Sequence, residues 1–411
     1  MTLAQTKPPV SPLTSGYDCD LVIVGGGIAG ATLACSLKDS GLKVIIIESQ
    51  PLAVAAARKQ AYAVSLLSSR IYKQLGVWEQ ILPQISSFKQ IRLSDADYDG
   101  IVAFSLNDLG TDHLGFAAEH GAIITVLQQV ITNSENIDWL CPASVVGVNY
   151  EKTRVEVEVE IAGEKQQLQT KLIVGADGAR SQIREDAGIT TKGWKYWQSC
   201  VVTTIKHQAS RNDIAFERFW PTGPMGVLPL PGNRCQVVWT NPHAEAQALK
   251  ELPKKEFLAR LEKHTGGLLG KLKMEGERFV FPVRLMQCDR YIQPRLALIG
   301  DAAHCCHPVG GQGLNLGIRD AAALAQVLQE ANTQGLDVGN LRVLKNYQSW
   351  RKKENLAILG FTDLLDRVFS NNFPPVVASR RLGLWLLSNV RPLRIYALQL
   401  MTGLRGRSVF K

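Results

Sequence analysis

The amino-acid sequence predicts an α/β fold in which a parallel β-sheet is interrupted by a mainly antiparallel sheet and is followed by C-terminal helices. Short, wholly apolar runs alternate with helical patterns near the start of the chain, which is typical of a buried parallel sheet. Closely spaced strand-like runs with Pro, Gly and Asn turns fill the middle. An apolar strand followed by long helical patterns returns near residue 296.

The first elements are read in the order strand, helix, strand, over residues 20–24, 27–40 and 43–48. The hydrophobic period then predicts helices over 66–74 and 123–132 and strands over 154–160 and 172–176. Four short strands are predicted over 201–205, 215–220, 225–230 and 235–239. A strand over 296–299, a Gly-rich loop through Gly313 and helices over 314–330 and 340–369 complete the pattern.

These changes of period predict a discontinuous first domain and an inserted second one. The 411-residue chain, 45% of it hydrophobic, is long enough for about two joined domains. The predicted limits are a disordered leader (1–17), the first domain (18–90, 110–190 and 285–373), the inserted domain (91–109 and 191–284) and basic amphipathic helices (374–411).

Composition and charge narrow the class of protein. The eight cysteines form no Cys-x-x-Cys pair, which fits reduced thiols in a cytoplasm. The net charge of +9 comes largely from residues 374–411, which contain no acid. No apolar run approaches the roughly 20 residues of a spanning helix. We expect a cytoplasmic protein that does not bind nucleic acid, since no reader motif accompanies the basic residues.

The glycine run that begins at Gly25 is the strongest local motif. Gly25, Gly27 and Gly30 stand where the first strand passes into a helix, and Glu48 closes the next strand. This spacing is typical of a Rossmann-type dinucleotide site, with the pyrophosphate at the helix N-terminus and the acid on a ribose. The acid favours FAD or NAD over NADP. The predicted contacts from this unit are Gly25, Gly27, Ile28, Ala29, Gly30, Glu48 and Ser49.

Two acidic motifs follow later predicted strands. Asp177-Gly178 comes after the strand over 172–176, and Gly300-Asp301 comes after the strand over 296–299. Both are therefore expected at the strand ends that lie beside the first glycine run. Taken alone, the first could be a plain turn and the second a helix N-cap.

Together these motifs resemble those of the FAD monooxygenases similar to p-hydroxybenzoate hydroxylase. The resemblance implies a glutathione reductase-like FAD-binding domain with an inserted, mainly antiparallel substrate domain. It implies that Asp301 binds the ribityl chain of FAD. It also implies that Asp177 supports the pyrophosphate and influences the docking of NADH or NADPH.

The segment from His307 to Asp320 resembles the motif of the FAD-dependent hydroxylases of ubiquinone biosynthesis, in particular the octaprenyl-methoxyphenol hydroxylase-like members. The resemblance places Arg58 on the flavin side of the site. Relatives often carry arginine where this chain has Gly121, so that contact is either absent or supplied by Arg58. The residues expected against the flavin are Pro308, Gly311, Gln312, Gly313, Leu314 and Asn315.

Membership of this family implies a class A flavoprotein monooxygenase that uses NADH or NADPH and O2 to hydroxylate an aromatic ring. The implied substrate is a hydrophobic, polyprenylated phenol of quinone biosynthesis. Such chemistry needs an apolar pocket that excludes water. No acid or base is assigned from the sequence. The predicted pocket residues are Phe216, Phe219, Met225, Val227 and Leu228.

Several alternatives remain at this stage. The same fold could serve an isoprenoid reductase or cyclase, or a non-catalytic prenyl-lipid-binding protein similar to the Rab GDP-dissociation inhibitors. Halogenation is disfavoured because the Trp-x-Trp-x-Ile-Pro motif is absent. No metal site is expected, because His304 and His307 stand too close together with their two cysteines to form a tetrahedral site.

The basic C-terminal segment has two interpretations. Its mixture of arginines with leucines and Trp385 could seat it in an anionic membrane interface, on the inner face of the membrane, as two short helices about Pro392. Alternatively, the helices pack on the body with their arginines solvated. A quinone-biosynthesis complex or a homo-oligomer is a further expected partner.

Overall fold

The structure is a computed structural model that describes residues 17–96 and 100–407. Apart from Tyr17, the predicted leader over 1–17 lies outside these residues. The strands, in chain order, are β1 (Cys19–Val24), β2 (Val44–Ile47), β3 (Ala61–Val64), β4 (Ser86–Phe88), β5 (Gln90–Asp95), β6 (Ile101–Ser105), β7 (Gly115–Glu119), β8 (Ile137–Leu140), β9 (Ser144–Tyr150), β10 (Val155–Ile161), β11 (Glu164–Gly175), β12 (Thr191–His207), β13 (Ile214–Trp220), β14 (Gly223–Leu230), β15 (Arg234–Pro242), β16 (Leu272–Met274), β17 (Phe279–Cys288), β18 (Ile292–Gln293), β19 (Leu296–Leu298) and β20 (His304–Cys305).

Helices connect and cover these strands, and three of the segments are short 3-10 helices (Leu82–Gln84, Gly300–Ala302 and Val309–Gly311). The α-helices are α1 (Ile28–Ser36), α2 (Leu52–Ala56), α3 (Leu66–Gln74), α4 (Trp78–Ile81), α5 (Leu106–Leu109), α6 (His120–Thr132), α7 (Gln182–Asp186), α8 (His243–Glu251), α9 (Lys254–His264), α10 (Gln312–Thr333), α11 (Leu341–Phe369), α12 (Pro374–Asn389) and α13 (Arg391–Met401).

The first sheet has β1 at its centre, in parallel pairing with β11 on one side and β2 on the other. β19 and β8 extend the parallel part outward. β1 and β2 are buried along their whole length, which explains their unbroken apolar sequences. Because the parallel strands end at the same edge, the loops after β1, β11 and β19 meet there. The predicted parallel fold is confirmed.

The first helix is shorter than predicted. α1 ends at Ser36, whereas the sequence indicates a helix as far as Ser40. The reason is local: Ser40 bonds back to the carbonyl of Leu37 through its hydroxyl group, and Gly41 follows with φ +74°. Such side-chain bonds compete with the helical pattern and favour a turn.

Within the described ranges, the second sheet has nine strands and is antiparallel except where β13 pairs with β5. The first of its four predicted strands is wrong in length, because it forms only part of the 17-residue β12. The added residues pair with β17 through an irregular register between Lys195 and Ser199. Helices α8 and α9, which the sequence reading missed, cover one face of this sheet, where Phe257 and Leu261 pack with Trp239.

The two C-terminal helices pack against β6 and α5 rather than standing free. Leu384 and Leu398 are buried there with Phe104. The Arg380 guanidinium forms a buried ion pair with Asp95, with an Nε to Oδ2 distance of 2.7 Å. None of the helices within 17–96 and 100–407 is both long enough and apolar enough to span a bilayer.

Candidate active site

A large cavity joins the carboxyl edge of the first sheet to one face of the second. Its volume is about 1320 Å³, more than the roughly 300–1,000 Å³ of an ordinary small-molecule site. The glycine run, the Gly300-Asp301 turn and the start of α10 line one end, and apolar strand residues line the other. The cavity therefore has room for a large cofactor and a second ligand together.

The glycine run forms a close strand-to-helix turn at the cavity. Gly25 has φ +105°, a conformation that favours glycine. A Cβ atom at Gly30 would lie 2.0 Å from the carbonyl oxygen of Gly25, so helix and strand pack without side chains between them. A Cβ atom at Gly27 would meet nothing within 4 Å and would point into open space. Gly27, Ile28 and Ala29 line the cavity, as a pyrophosphate site requires.

Glu48 lies at the end of β2 and is held by backbone donors. Its Oε2 accepts a bond of 2.8 Å from the amide of Gly26, and its Oε1 accepts one of 2.8 Å from the amide of Gln50. The Ser49 hydroxyl also bonds to Oε1, at 3.4 Å. A carboxylate has about four acceptor positions. Glu48 therefore keeps capacity for ribose hydroxyl groups, although neither it nor Ser49 lines the cavity.

Arg58 and Gly121 stand near each other at the rim. The Arg58 side chain is exposed, outside the cavity lining, and donates to Gln50 Oε1 at 2.5 Å. A Cβ atom at Gly121 would lie 2.3 Å from the carbonyl oxygen of Ala56. This backbone therefore excludes the arginine of relatives at position 121. The flavin contact of Arg58 stays a prediction.

Asp301 projects into the cavity from the turn after β19. It lines the wall with Gly300, and no hydrogen bond to its carboxylate is found within the described ranges 17–96 and 100–407. Burial of the group raises the pKa of the Asp301 carboxyl above its ordinary value. Its free acceptor atoms face the open space, so the group is suited to hydroxyl donors of a bound ligand.

Asp177 lies behind the cavity wall and Gly178 lies on it. Asp177 Oδ2 accepts a bond of 3.2 Å from the amide of Ile183, at the start of α7. Its Oδ1 is buried without a partner in the described chain. Burial raises the pKa of Asp177. A polar atom left unsatisfied beside a cavity fits a site that a polar ligand or water completes.

The predicted flavin loop is tighter than the sequence suggested. Residues Val309–Gly311 form a 3-10 helix and α10 begins at Gln312, so the predicted helix start at residue 314 is wrong by two residues. The amide-rich N-terminus of α10 opens into the cavity, which favours negative charge there. The predicted residues on the cavity wall here are Pro308, Gly311, Gln312, Gly313 and Leu314.

The structure argues against the predicted flavin contact by the Asn315 side chain, because all of its hydrogen-bonding atoms are engaged by the protein. Nδ2 donates to the carbonyl groups of Ala63 and Gly311 at 2.8 and 2.9 Å. Oδ1 accepts from the Ser65 amide and the Ser68 hydroxyl at 2.8 and 2.7 Å. The side chain therefore positions β3 and α3 against the loop and has no free atom for a cofactor.

The predicted substrate residues divide between the two faces of the second sheet. Phe219 and Leu228 belong to the face that lines the cavity. Met225 is wrong as a pocket residue, because it is buried on the opposite face among residues that contact α8 and α9. Phe216 and Val227 touch the cavity but pack in that same opposite cluster.

Several residues that line the cavity were not predicted from the sequence. Glu217 on β13 is an acid in an apolar wall, and burial raises its pKa to about 7. His120 and Tyr62 line the wall next to each other. Burial lowers the pKa of His120 to about 4 and raises that of Tyr62 to about 12. The sequence offered little reason to single out Glu217, since an acid in a strand is usually solvated. Cationic wall residues are Arg180, Lys195 and Arg284.

A buried polar hub holds the Asp301 turn from behind. Asp320 on α10 accepts bonds from His304 Nε2 at 2.6 Å, Arg351 Nε at 2.8 Å and the Gly300 amide at 3.1 Å. Although burial acts to raise the pKa of Asp320, His304 and Arg351 hold it well below its ordinary value. The hub fixes the backbone that presents Asp301.

Comparison with known proteins identifies this arrangement. A family model described as an FAD binding domain matches residues 18–359. The chain belongs to this FAD-binding family. It is 53% identical over 388 residues to an uncharacterised protein of Synechocystis sp., with 94% of each chain covered. It is 35% identical to the ubiquinone hydroxylase UbiL of Rhodospirillum rubrum, covering 95% of this chain and 92% of that protein.

A solved structure shows the same fold. The p-nitrophenol 4-monooxygenase PnpA of Pseudomonas putida superposes with a TM-score of 0.79 at 20% identity, covering 94% of this chain and 98% of that one. The predicted p-hydroxybenzoate hydroxylase-like fold and the membership of the FAD-dependent aromatic hydroxylases are confirmed. The open space at Gly27 and the free carboxylate of Asp301 fit FAD as the resident cofactor.

Proposed function

We propose that this protein uses NADH or NADPH and O2 to hydroxylate the ring of a hydrophobic phenol, of the polyprenylated class from which quinones are made. The observation that carries the proposal is the continuous cavity, which passes from the FAD glycines into an apolar chamber. The hydroxylase named in the comparison with Rhodospirillum rubrum supports the choice of substrate class.

The residues of this chain would divide the work between two ends of the cavity. Bound FAD would supply reducing equivalents and activate oxygen. Gly27 and the start of α1 would hold its phosphates, and Asp301 its ribityl hydroxyl groups. Phe219 and Leu228 would hold the substrate ring in a dry environment beside the Val309–Gly311 turn, as a reactive oxygen species requires.

The purified protein tests this function directly. We expect it to be yellow, with flavin absorbance that bleaches under NADH or NADPH and recovers in air. Oxygen consumption should rise when a prenylated phenol is added. Reduction without substrate-dependent oxygen use would favour a reductase or cyclase, and mass spectrometry of lipids from a deletion strain would identify the accumulating substrate.

Replacing Asp301 by alanine should weaken FAD binding about 10- to 100-fold, because hydrogen bonds to a charged group contribute about 1.5–3 kcal/mol. Equilibrium dialysis of the apoprotein against FAD measures the change. Asp39→Ala, an exposed acid beyond the other end of α1, is the matched control. Unchanged affinity in Asp301→Ala would remove this residue from the cofactor site.

The C-terminal helices support a second proposal, that the protein docks on an anionic membrane. Their inner face is packed on the body, but the outer face exposes 57% of Leu382 and 53% of Trp385. Tyr396 is exposed beside them. Residues 374–411 contain no acid, and Arg391, Arg405 and Arg407 are exposed there, whereas Arg380 pairs with Asp95 and Arg394 with Asp108. Apolar and basic side chains together favour an interface of anionic lipid.

Vesicle co-sedimentation tests the membrane proposal. The double variant Leu382→Ser and Trp385→Ser should bind vesicles of anionic phospholipid at least about tenfold more weakly, since each loses apolar area from the interface. Leu336→Ser, at a residue that is 50% exposed on a separate loop, should bind as the parent protein does. Equal binding by all three proteins would contradict docking through these helices.

A further inference from the structure

Glu217 is the acid of the substrate chamber. On β13, the side chains of Ala215, Glu217 and Phe219 share the face that lines the cavity. Arg218 belongs to the other face, where its guanidinium lies over Trp220 at 5.4 Å from the ring centroid. The carboxylate of Glu217 is therefore separated from its neighbouring arginine by the sheet itself.

Among the described residues, one hydrogen bond holds the carboxylate. Its Oε2 accepts a bond of 3.3 Å from the amide of Gly310, in the turn beside the proposed flavin site. Across the strand pair, the carboxylate lies over Gly226, where a Cβ atom would be in van der Waals contact with Oε2 at 3.6 Å. Within residues 17–96 and 100–407, no ion pair to Glu217 is found. An unpaired acid in an apolar wall is costly unless a ligand uses it.

The position of Glu217 joins the two parts of the cavity. Gly310 belongs to the turn that leads into α10, and the apolar chamber begins with Phe219 and Leu228. We propose that Glu217 binds the hydroxyl group of the phenolic substrate and accepts its proton during ring oxygenation. This inference rests on the proposed function and assigns it a proton acceptor.

The proton transfer balances within that reaction. The phenolic O–H bond breaks, its electron pair remains on oxygen, and the proton joins a carboxylate oxygen of Glu217. The electron-rich ring then takes one oxygen atom from O2, and the reducing equivalents of NADH or NADPH reduce the other to water. The ring carbon loses its hydrogen as a proton when aromaticity returns, and that proton is taken up by the second oxygen atom as it leaves as water. Glu217 gives its own proton back to the phenolate oxygen.

The surroundings are consistent with a titration near neutral pH. Burial raises the pKa of Glu217 to about 7, the range in which a general base is most effective. Lys195 on β12 and Arg284 on β17 are cationic residues of the same cavity wall. Among the other titratable groups on neighbouring elements, burial raises the pKa of Cys200 on β12 to about 12, lowers that of His307 to about 3, and raises that of Asp366 on α11. Arg92 on β5 lies over the Phe216 ring.

The experiment compares a phenol with its methyl ether on the FAD-loaded enzyme. The probes are 4-allyl-2-methoxyphenol and 4-allyl-1,2-dimethoxybenzene, and flavin absorbance reports their binding. Affinity for the phenol should rise about tenfold as the pH passes from 6 to about 8, because an ionised acceptor forms the stronger hydrogen bond. Affinity for the ether, which has no proton to donate, should stay constant.

Glu217→Gln is the matched variant, because glutamine keeps the size and the acceptor for Gly310. We expect it to lose the pH-dependent preference for the phenol and about 100-fold in hydroxylation rate, the usual contribution of a general base. If the variant does not fold, the pH dependence of phenol and ether binding by the parent protein still tests the role of Glu217.

The possible results of these experiments distinguish a failure of the Glu217 proposal from a failure of the proposed hydroxylase function. Parallel, pH-independent binding of phenol and ether by the parent enzyme would overturn the role of Glu217 while leaving hydroxylation intact. The same conclusion follows if Glu217→Gln keeps the parent's pH profile, in which case the acid merely anchors Gly310. No binding of phenols and no oxygen consumption by the parent enzyme would overturn both proposals.

Discussion

Replacing Asp320 by alanine should lower the free energy of unfolding by about 3–5 kcal/mol, the usual cost of removing one partner of a buried charge pair. The change leaves the Arg351 guanidinium, which is 1% exposed, with Glu354 and Asn355 as its remaining partners among the described residues. It also leaves His304 and the Gly300 amide without their acceptor. Urea unfolding of the apoprotein measures the loss.

A surface acid gives the matched control for Asp320. Asp213 pairs with Arg211 at 2.9 Å, but the side chain of Arg211 is 56% exposed. Asp213→Ala should therefore cost no more than about 1 kcal/mol. Equal losses in the two variants would contradict the hub. Because the folded-state pKa of Asp320 is depressed, its stabilisation is present above the ordinary carboxyl pKa near 4 and is lost as the pH falls further.

Replacing Gly30 by alanine should abolish FAD retention and destabilise the apoprotein by about 3 kcal/mol or more. The new methyl group would lie 2.0 Å from the Gly25 carbonyl oxygen, which is a backbone atom and cannot move aside without shifting β1 or α1. Overpacking of this kind typically costs about 1–3 kcal/mol and is worse against backbone. Thermal unfolding and flavin absorbance of the purified variant test the prediction.

Gly27→Ala is the control variant, because its new methyl group would occupy the space of the cofactor without a steric clash within the protein. Its Cβ would meet no protein atom within 4 Å, and φ at this residue is −66°, which alanine adopts readily. Stability of the apoprotein should therefore stay within about 0.5 kcal/mol of the parent. FAD affinity should still fall, because the methyl group occupies the cofactor's space. A fully FAD-competent Gly27→Ala protein would place the pyrophosphate elsewhere.

The parallel sheet and its ligand edge were predictable because buried strands have a distinctive sequence. The runs around Leu21, Ile45 and Ile173 are apolar without alternation, and each ends in the loop that carries a motif. The burial of each strand on both faces leaves its sequence few other interpretations. Motif residues at these strand ends, such as Gly27 and Asp301, accordingly meet on one cavity.

The cavity-lining residues of the second sheet were harder to predict, because the alternation of side chains along a strand does not reveal which face of the sheet lines a site. The spacing of two residues places Met225 and Val227 on one face of β14 and Gly226 and Leu228 on the other. Which of these faces lies towards the flavin depends on how the sheet packs. Helices α8 and α9 decide this, because they cover the Met225 face. Their own pattern, with Phe257 and Leu261 four residues apart, was present, but no element was predicted between residues 239 and 296.

The pairing of β1 has a consequence for how the molecule is made. Leu21 pairs with Leu172, and the neighbouring strand β19 comes later still. Pairings between such distant segments form slowly. The substrate chamber closes later again, since Leu387, Leu393 and Met401 of the final helices form part of its wall. A nascent chain therefore carries the FAD glycines long before it has a chamber that keeps water from the reaction.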